Sequence, residues 1–466
     1  MTESWATFGA DLHLDLTAGR GLRAGLTEAL REAARSGRLA AGTRLPSSRT
    51  LAADLGIARN TVAEAYAELV AEGWLTARQG SGTRVAERAR PRRAAAAAAP
   101  VRRPARKGPA YSLIPGSPDL GGFPRAAWLS AARRALTDAP NEAFGYAVDP
   151  RGRVELRQAL AGYLARARGV YADPGRIVLC AGFLHGLTLL AGVLRARRVR
   201  EVAVEGYGLD FHRDLLVRAG LRTRPLNVDA QGARTGELTA AAGAVLLTPA
   251  HQFPTGVALT PQRRAAAVDW ARTTGGLILE DDYDGEFRYD RQPVGALQGL
   301  DPDRVVYLGT ASKSLAPGLR MGWMVVPPAL LEEVLAAKGP TEWASGALDQ
   351  LTLAEFIASG AYDRHVRGMR LRYRRRRDEL VAAVGDRVGV SGIAAGLHAV
   401  LDLPEGLERS VLQSAAWQDL ALHGLGRFRH PEAVALPARD AVVVGYGTPS
   451  DSAWSPTLAA LAAALP

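Results

Sequence analysis

The sequence has little cysteine and no long apolar run, and each shortage excludes a class of protein. Cys180 is the one cysteine in 466 residues, so an internal disulfide framework is excluded and a reducing cytoplasm is expected. No run of about 18 apolar residues is present, which excludes a transmembrane helix of the usual length. The N-terminus has no cationic start followed by an apolar segment, so no signal peptide is expected.

Acidic residues are absent from one segment. From Arg88 to Lys107 there are eight cations and no acid among alanines and prolines, and residues 87–110 are predicted to be a linker. If extended at about 3 Å per residue, it would span roughly 70 Å. Residues 1–107 hold 18 Lys and Arg against 10 Asp and Glu, so they carry most of the formal net charge of +11. The imbalance predicts a polyanion partner for the N-terminal region.

The N-terminal region shows helical periodicity and turn signals. Apolar spacing predicts a helix over 20–38, and Ser47 or Ser48 can cap a helix ending near Gly56. A second helix is predicted from Asn60 to Glu72, which gives a helix-turn-helix pattern. Two short strands, 73–76 and 82–85, would form a wing. Any helical hairpin with a glycine turn can imitate this pattern, so the spacing alone is a weak signal.

Residues 45–83, LPSSRTLAADLGIARNTVAEAYAELVAEGWLTARQGSGT, resemble the winged helix of the GntR family over its full length. The resemblance predicts a DNA-binding domain over residues 12–86 that binds double-stranded operator DNA. It implies phosphate contacts from the helix start, base or backbone contacts from the recognition helix, and minor-groove contacts from the wing. The residues implied are Ser47, Ser48, Arg49, Arg59, Asn60, Thr61, Tyr66, Arg78, Gly80 and Gly82.

A lysine lies in a turn rich in hydroxyl groups, ASKSLAPGLRMGW, after a strand-like run. A lone lysine in a turn is most often a solvated cation. Here Thr310, Ser312 and Arg320 supply two hydroxyls and a guanidinium within one loop, which suits a phosphate dianion. A lysine such as Lys313 beside a phosphate site is what a pyridoxal phosphate protein needs, because its amine must condense with the aldehyde of the cofactor.

A second candidate stretch is the acidic end of the apolar strand 276–279, which continues as Glu280-Asp281-Asp282-Tyr283. A buried carboxylate there can hold a pyridinium nitrogen protonated, and Tyr283 can hydrogen-bond the ring oxygen. A divalent metal site or a solvated strand end is an equally good interpretation of this stretch alone. A third stretch, residues 248–256 around Gln252, also follows an apolar run.

Alternation of strands and helices from Tyr111 onward predicts an α/β domain with a mostly parallel central sheet. The predicted strands are 177–181, 201–205, 244–248, 277–282, 305–309 and 322–326. Residues 360–466 are predicted to form a smaller α+β portion that begins with a basic helix around Met369 to Leu380. Cofactors in such sheets bind at the carboxyl ends of the strands, where the candidate residues lie.

The three stretches occur in the order used by fold-type I aminotransferases, and residues 111–466 resemble that superfamily. A GntR winged helix joined to such a domain is the architecture of MocR-type transcription regulators, which the whole chain resembles. The resemblance implies a cytoplasmic homodimer with pyridoxal 5'-phosphate bound as a lysine aldimine, and a small-molecule effector that is the cofactor or an amine or amino acid. The cofactor-binding residues it implies are Lys313, Asp281, Tyr283, Thr310, Ser312, Arg320, Gly182, Phe183 and Gln252.

The sequence departs from the aminotransferase pattern in places. Leu184 stands where a glutamine is usual, and the segment after Glu205 lacks the usual proline pattern. Val443 occupies the position at which aminotransferases carry an arginine for the substrate carboxylate, although Arg427 and Arg429 are near in sequence and could substitute for it. Three functions therefore stay open: a ligand-sensing regulator, which we favour, an active aminotransferase with an accessory DNA-binding domain, and a repressor whose large domain is only a scaffold.

Overall fold

The computed structural model describes residues 21–78, 82–87, 108–146, 149–289, 295–340, 345–433 and 439–466. They form two compact units on either side of the boundary between residues 106 and 107. Most of the predicted linker and Gly80 at the wing tip lie outside the described residues. No helix in the described part of the chain has both the length and the apolarity needed to cross a membrane.

The smaller unit consists of three helices and a hairpin. These are α1 (Leu22–Ser36), α2 (Ser48–Leu55), α3 (Arg59–Ala71), β1 (Leu75–Arg78) and β2 (Gly82–Val85). Ser47 caps α2, because its side chain accepts a hydrogen bond from the Thr50 backbone N–H, and Gly56 ends the helix in the left-handed conformation. Leu26, Leu51 and Val62 join the buried core that holds the three helices together. The predicted winged helix is confirmed.

The larger unit alternates strands and helices along most of its length. In chain order they are β3 (Tyr111–Ser112), α4 (Arg125–Asp138), α5 (Val154–Arg168), β4 (Ile177–Cys180), α6 (Phe183–Ala196), β5 (Glu201–Glu205), α7 (Asp210–Arg218), β6 (Arg222–Leu226), β7 (Val228–Asp229), β8 (Gly232–Ala233), β9 (Ala244–Leu247), α8 (Pro261–Thr274), β10 (Leu277–Asp282), β11 (Val305–Thr310), β12 (Gly322–Val325), α9 (Pro328–Lys338), α10 (Ala347–Ala358), α11 (Ala361–Val384), β13 (Gly389–Ser391), β14 (Ala399–Asp402), α12 (Glu408–Trp417), β15 (Leu420–Ala421), β16 (His423–Gly424), β17 (Ala441–Val444) and α13 (Asp451–Ala464).

Seven strands form the central sheet in the order β4-β12-β11-β10-β9-β5-β6. The pairs from β11 to β6 are parallel, whereas β12 is antiparallel to both β11 and β4. The residues of β4, β9, β10, β11 and β12 are buried throughout, as expected for strands covered by helices on both faces. The α/β class and the mostly parallel sheet are confirmed. The carboxyl ends of β5, β9, β10 and β11 therefore meet at one edge of the sheet.

The C-terminal part contains the antiparallel sheet β13-β14-β17-β16 and the long helix α11. The helix extends beyond the predicted 369–380 at both ends, because its buried residues include Tyr362 and Val384. Arg376 on α11 is fully buried and forms ion pairs with Asp119 and Asp451. Arg376, one of the basic residues of this helix, therefore holds α11 against the rest of the unit by ion pairs.

Candidate functional site

A cavity of about 600 Å³ opens at the carboxyl edge of the central sheet. Most of the predicted cofactor residues line it: Lys313, Asp281, Tyr283, Thr310, Ser312, Arg320, Gly182 and Phe183. Its other walls come from the segment 112–117, from the start of α7 and from the neighbourhood of β14. Residues that are far apart in the chain converge here because parallel strands end at the same edge.

Lys313 lies in the loop after β11. Its Nζ donates a hydrogen bond to the backbone oxygen of Gly116. Burial lowers the pKa of the Lys313 amine, and this effect is opposed by the carboxylates of Asp281 and Asp284. A lowered pKa increases the fraction of neutral amine, which is the form that attacks a carbonyl carbon.

Three consecutive acids at the end of β10 have three different environments. Glu280 accepts hydrogen bonds from the backbone N–H groups of Leu297 and Gln298. Asp282 is buried in a two-pronged ion pair with Arg168. Asp281 lines the cavity, and its Oδ1 has no hydrogen-bond partner among the described residues.

These environments argue against a shared metal site at this strand end, since Glu280 and Asp282 are already bound to other groups. Burial raises the pKa of Asp281 well above its usual range, while Lys313 acts in the opposite direction. An N–H donor that enters the cavity would satisfy the unpartnered oxygen, and a cationic donor would also stabilise the carboxylate.

Tyr283 connects the cavity to a buried histidine. Its hydroxyl donates to the backbone oxygen of His251 at 3.0 Å, and His251 Nδ1 lies 2.8 Å from Asp284 Oδ2. Burial raises the pKa of Tyr283 well above its usual range, so the residue keeps its proton at neutral pH. His398, on the cavity wall, packs against His251 with ring centroids 4.7 Å apart. One nitrogen or oxygen atom from each of His251, Asp284 and His398 lies within 4.8 Å of the others.

The predicted phosphate residues lie at the end of the cavity formed by β11, β12 and α6. Thr310 Oγ1 lies 2.8 Å from Ser312 Oγ, and Arg320 Nη2 donates to the backbone oxygen of Ala181 at 2.6 Å. Helix α6 starts directly after Gly182 and has no side-chain cap, which leaves its first N–H groups available to an anion. A Cβ on Gly322 would lie 2.8 Å from the Gly182 Cα, so the two backbones touch. The geometry suits a dianion.

Gln252 does not line the cavity, which corrects its prediction as a direct contact residue. Its side-chain amide donates to Glu205 Oε2 at 3.1 Å and to the backbone oxygen of Tyr207 at 2.9 Å. Glu205 is the residue that reaches the cavity wall, and burial raises its pKa to about 7. Gln252 thus positions Glu205.

Val443 is buried in β17 within an apolar cluster that includes Val400, Phe253 and Phe428. Phe253 is also part of the cavity wall. Neither Arg427 nor Arg429 lines the cavity: Arg427 pairs with Asp210 at 3.5 Å, and Arg429 donates to the backbone oxygen of Ala433. The suggestion that one of them replaces the missing arginine is therefore not supported by their positions.

Sequence reasoning missed several cavity residues, among them His212 and Arg213 on α7 and His398 before β14. Burial lowers the pKa of His212 to about 3 and that of His398 well below its usual range, so both rings are neutral. The segment 210–218, DFHRDLLVR, is an ordinary amphipathic helix in sequence. Its contribution to a cavity becomes visible only when the fold brings α7 beside the strand ends.

In the smaller unit, the predicted DNA-binding residues lie around α2 and the start of α3. Ser47, Arg49, Arg59 and Asn60 are exposed, and Ser48 and Thr61 are half-buried. Arg78 and Gly82 are exposed at the ends of the two wing strands. Tyr66 is different. It is buried in the core, and its hydroxyl donates to the backbone oxygen of Pro46 at 3.0 Å, so it fixes α3 against the segment before α2 and is not a surface contact residue.

The two units and the cavity define a class: a winged-helix regulator joined to an aminotransferase-like domain. Residues 22–85 match the bacterial regulatory proteins of the gntR family, and residues 118–423 match aminotransferase class I and II. The chain is 32% identical to the HTH-type pyridoxine biosynthesis transcriptional regulator PdxR of Corynebacterium glutamicum, over 91% of each chain. It is 33% identical to the probable rhizopine catabolism regulatory protein MocR of Rhizobium meliloti, over 93% of this chain and 92% of MocR.

Among solved structures, the larger unit is similar to an archaeal alanine:glyoxylate aminotransferase, with a TM-score of 0.68 and 25% identity over 76% of this chain and 89% of that chain. This chain belongs to the MocR-type family of transcription regulators, in which a gntR-type helix-turn-helix domain is fused to an aminotransferase class I and II domain.

Proposed function

We propose that this protein is an operator-binding transcription regulator that holds pyridoxal 5'-phosphate in its large domain, through an aldimine with Lys313, and senses the cofactor or an amine that reacts with it. The observation that carries the proposal is the unpartnered Oδ1 of Asp281, buried in the same cavity as an amine of lowered pKa. A buried polar atom without a partner is costly unless a ligand supplies the missing hydrogen bond.

The residues present fit this cofactor. Asp281 would accept a hydrogen bond from the pyridine N–H, and Tyr283 would lie near the ring oxygen. Thr310, Ser312, Arg320 and the first N–H groups of α6 after Gly182 would hold the phosphate. When bound, the cofactor supplies an aldehyde that condenses with amines and a ring that withdraws electrons.

The proposed output is a change in DNA binding by the smaller unit. Arg49, Arg59, Asn60 and Thr61 would contact the operator. The pyridoxine regulator PdxR and the catabolic regulator MocR each have a metabolic target in their names. By analogy, we propose that a ligand of the large domain controls a cytoplasmic homodimer of this chain by favouring one arrangement of its DNA-binding units.

The first test is visible absorption spectroscopy of the purified full chain before and after addition of pyridoxal phosphate, together with operator binding. We expect an imine band in the wild type and none in Lys313→Ala, because the nucleophile is removed. Lys313→Arg is the matched control: it retains the cation, yet its guanidinium stays protonated and should give no band either. Operator binding that is the same without cofactor, with cofactor, and with cofactor plus a panel of amines and amino acids would refute the sensor.

A second candidate is an active aminotransferase. The presence of Lys313, Asp281 and Tyr283 in one cavity favours it, because the lysine amine would move the proton between cofactor and substrate carbon. The buried Val443 argues against it for α-amino acids, because no guanidinium is present at that position on β17. Catalytic conversion of a keto acid to its amino acid, in the presence of an amino-group donor, would establish the enzyme.

A further inference from the structure

Five exposed arginines lie at the end of the central sheet opposite to the cavity. Arg195 and Arg198 lie at the end of α6 and in the turn after it, Arg200 directly precedes β5, Arg218 ends α7 and Arg222 begins β6. The cavity is at the carboxyl ends of the strands, whereas these residues lie by the amino ends of β5 and β6. We call the five residues the arginine surface. None of them lines the cavity.

Backbone contacts bring the members of the arginine surface together. The N–H of Arg222 donates to the backbone oxygen of Arg200 at 2.9 Å, so the starts of β6 and β5 are adjacent. The N–H of Arg198 donates to the backbone oxygen of Arg195 at 3.0 Å in the turn after α6. A Cβ on Gly220 would lie 3.1 Å from Arg195 Nε, so this side chain lies against the turn between α7 and β6. The arginine surface is therefore a single patch of the large unit.

Carboxylates do not balance the charge of the arginine surface. Within the described part of the chain, Arg222 is the one member with an acid at ion-pair distance, and it shares Glu201 with Arg224. The two distances are 3.6 and 3.9 Å, so one carboxylate serves two guanidinium groups. Arg197, in the turn after α6, pairs with Glu333 and does not belong to the surface. An excess of positive charge at one place repels itself and attracts a polyanion.

Two exposed arginines on α11 show the contrast. Arg374 lies 4.0 Å from Asp378, and Arg375 lies 3.6 Å from Glu379, in each case one turn further along the helix. Most exposed arginines are only solvated, and such pairs four residues apart are a common arrangement on a helix. The arginine surface departs from it, because its cations come from successive elements of the fold and face few acids. The missing negative charge indicates a partner from outside the chain.

We propose that the arginine surface binds the phosphate backbone of duplex DNA, as a second contact in addition to the winged helix. A guanidinium matches the oxygens of a phosphate with two parallel hydrogen bonds. Duplex DNA presents about one negative charge per 1.7 Å of its axis, so several guanidinium groups of one patch each find a phosphate. The inference goes beyond the proposed function, because it concerns neither the cavity nor the cofactor. Phosphate contacts carry no sequence information, so this surface adds affinity and the winged helix selects the site.

The test measures binding of the full chain to a fluorescent mixed-sequence duplex of about 60 base pairs, at several salt concentrations. The variant combines Arg195→Gln, Arg198→Gln and Arg200→Gln. We expect about tenfold weaker binding at 0.15 M salt and a salt slope smaller by about two to three, since each lost phosphate contact removes about 0.9 from the slope. An affinity and a slope equal to those of the wild type would overturn the inference.

Two further variants separate a local contact from a change in net charge or in folding. Arg364→Gln, Arg374→Gln and Arg375→Gln combined remove three exposed arginines from α11, so the net charge changes equally. We expect this control to bind DNA nearly as the wild type does, and equal losses in the two triple variants would refute the local contact. Replacement of the three arginines of the test variant by lysine keeps the charge, so it should retain most of the salt slope. A slope as small as that of the glutamine variant would also count against the inference.

A variant of the winged helix distinguishes this inference from the proposed function. Arg49→Ala with Arg59→Ala should lower the salt slope by about two, and its effect should add to that of the arginine surface. If only the arginine-surface variant loses affinity, DNA contact by the winged helix fails and the inference stands. If only the winged-helix variant loses affinity, the inference fails and the proposed function stands. The basic segment 88–107 is the same in every variant, so it contributes equally to all slopes.

Discussion

Four arginines, two from each unit of this chain, show opposite uses of the same side chain. In the winged helix, Arg49 and Arg59 are exposed, so their charge acts through solvent and is screened by salt. In the large unit, Arg168 and Arg376 are buried and held by carboxylates in fixed directions. An exposed cation attracts any polyanion, whereas a buried one recognises a particular geometry. The charge of a residue therefore indicates its role only when its burial is known.

The largest effect on stability is expected from the neighbouring acids Asp281 and Asp282 of β10. Asp282 pairs with Arg168, whereas Asp281 faces the cavity. Asp282→Asn should lower the free energy of unfolding by about 3–5 kcal/mol, because it removes the carboxylate that pairs with the buried Arg168 guanidinium. Asp281→Asn should not destabilise the cofactor-free protein, since it removes a buried carboxylate that has a raised pKa, but it should weaken cofactor binding.

Denaturant unfolding of both variants, together with titration by pyridoxal phosphate, measures this contrast. Equal losses of stability in the two variants would show that Asp281 is also held by the fold, and that its unpartnered oxygen does not mark a ligand site.

A moderate effect is expected for Arg49→Ala in the winged helix. Loss of one phosphate contact should weaken operator binding about three- to tenfold at 0.15 M salt and should reduce the salt slope by about one. Arg35→Ala is the control, because Arg35 is exposed on α1 and pairs with Glu32. Operator titrations at several salt concentrations make the comparison, and similar losses in the two variants would remove Arg49 from the DNA contact surface.

The smallest expected effect is a change in the pH dependence of stability when Glu205 is replaced. Its folded pKa is raised to about 7 from 4.5, so the folded protein binds this proton more tightly than the unfolded chain does. The stability associated with this group is fully present below pH 4.5 and is lost as the pH rises to about 7. Glu205→Gln should flatten the decline only in part, because the pKa of Glu280 and of Glu286 is also raised to about 7.

Unfolding midpoints measured between pH 4.5 and 8 test this prediction. An unchanged pH profile in Glu205→Gln would mean that the hydrogen bonds from Thr248 and Gln252 keep Glu205 ionised despite its burial.

The sequence was sufficient to predict an element of the fold where local chemistry and hydrophobic periodicity indicate the same structure. The run from Leu277 to Asp282 predicts the observed strand, because apolar residues end abruptly in acids at the sheet edge. Lys313, Asp281 and Tyr283 do line one cavity, while their chemical roles stay predictions. Tyr66 shows the limit, because a tyrosine on a recognition helix can face either the core or the solvent.

Long-range packing accounts for the rest. Arg213 belongs to no motif. Its position on the cavity wall depends on the packing of α7 beside α6 and β6 and on hydrogen bonds to the backbone oxygens of Gly208 and Phe428. Gln252 was predicted to touch the cofactor, yet its amide is used by Glu205 and by nearby backbone groups. Sequence spacing does not reveal which of two polar residues that are neighbours in space, here Gln252 and Glu205, reaches the cavity.

Because Gly182 and Gly322 are in close contact, the two ends of the cavity differ in how readily they tolerate substitutions. At the end where we propose that the cofactor phosphate binds, two backbones touch, so any side chain added at position 322 must push a strand away from the start of a helix. At the α7 end, Phe211 and His212 line the cavity. An exchange of either side chain is therefore sterically easier than the addition of one at position 322.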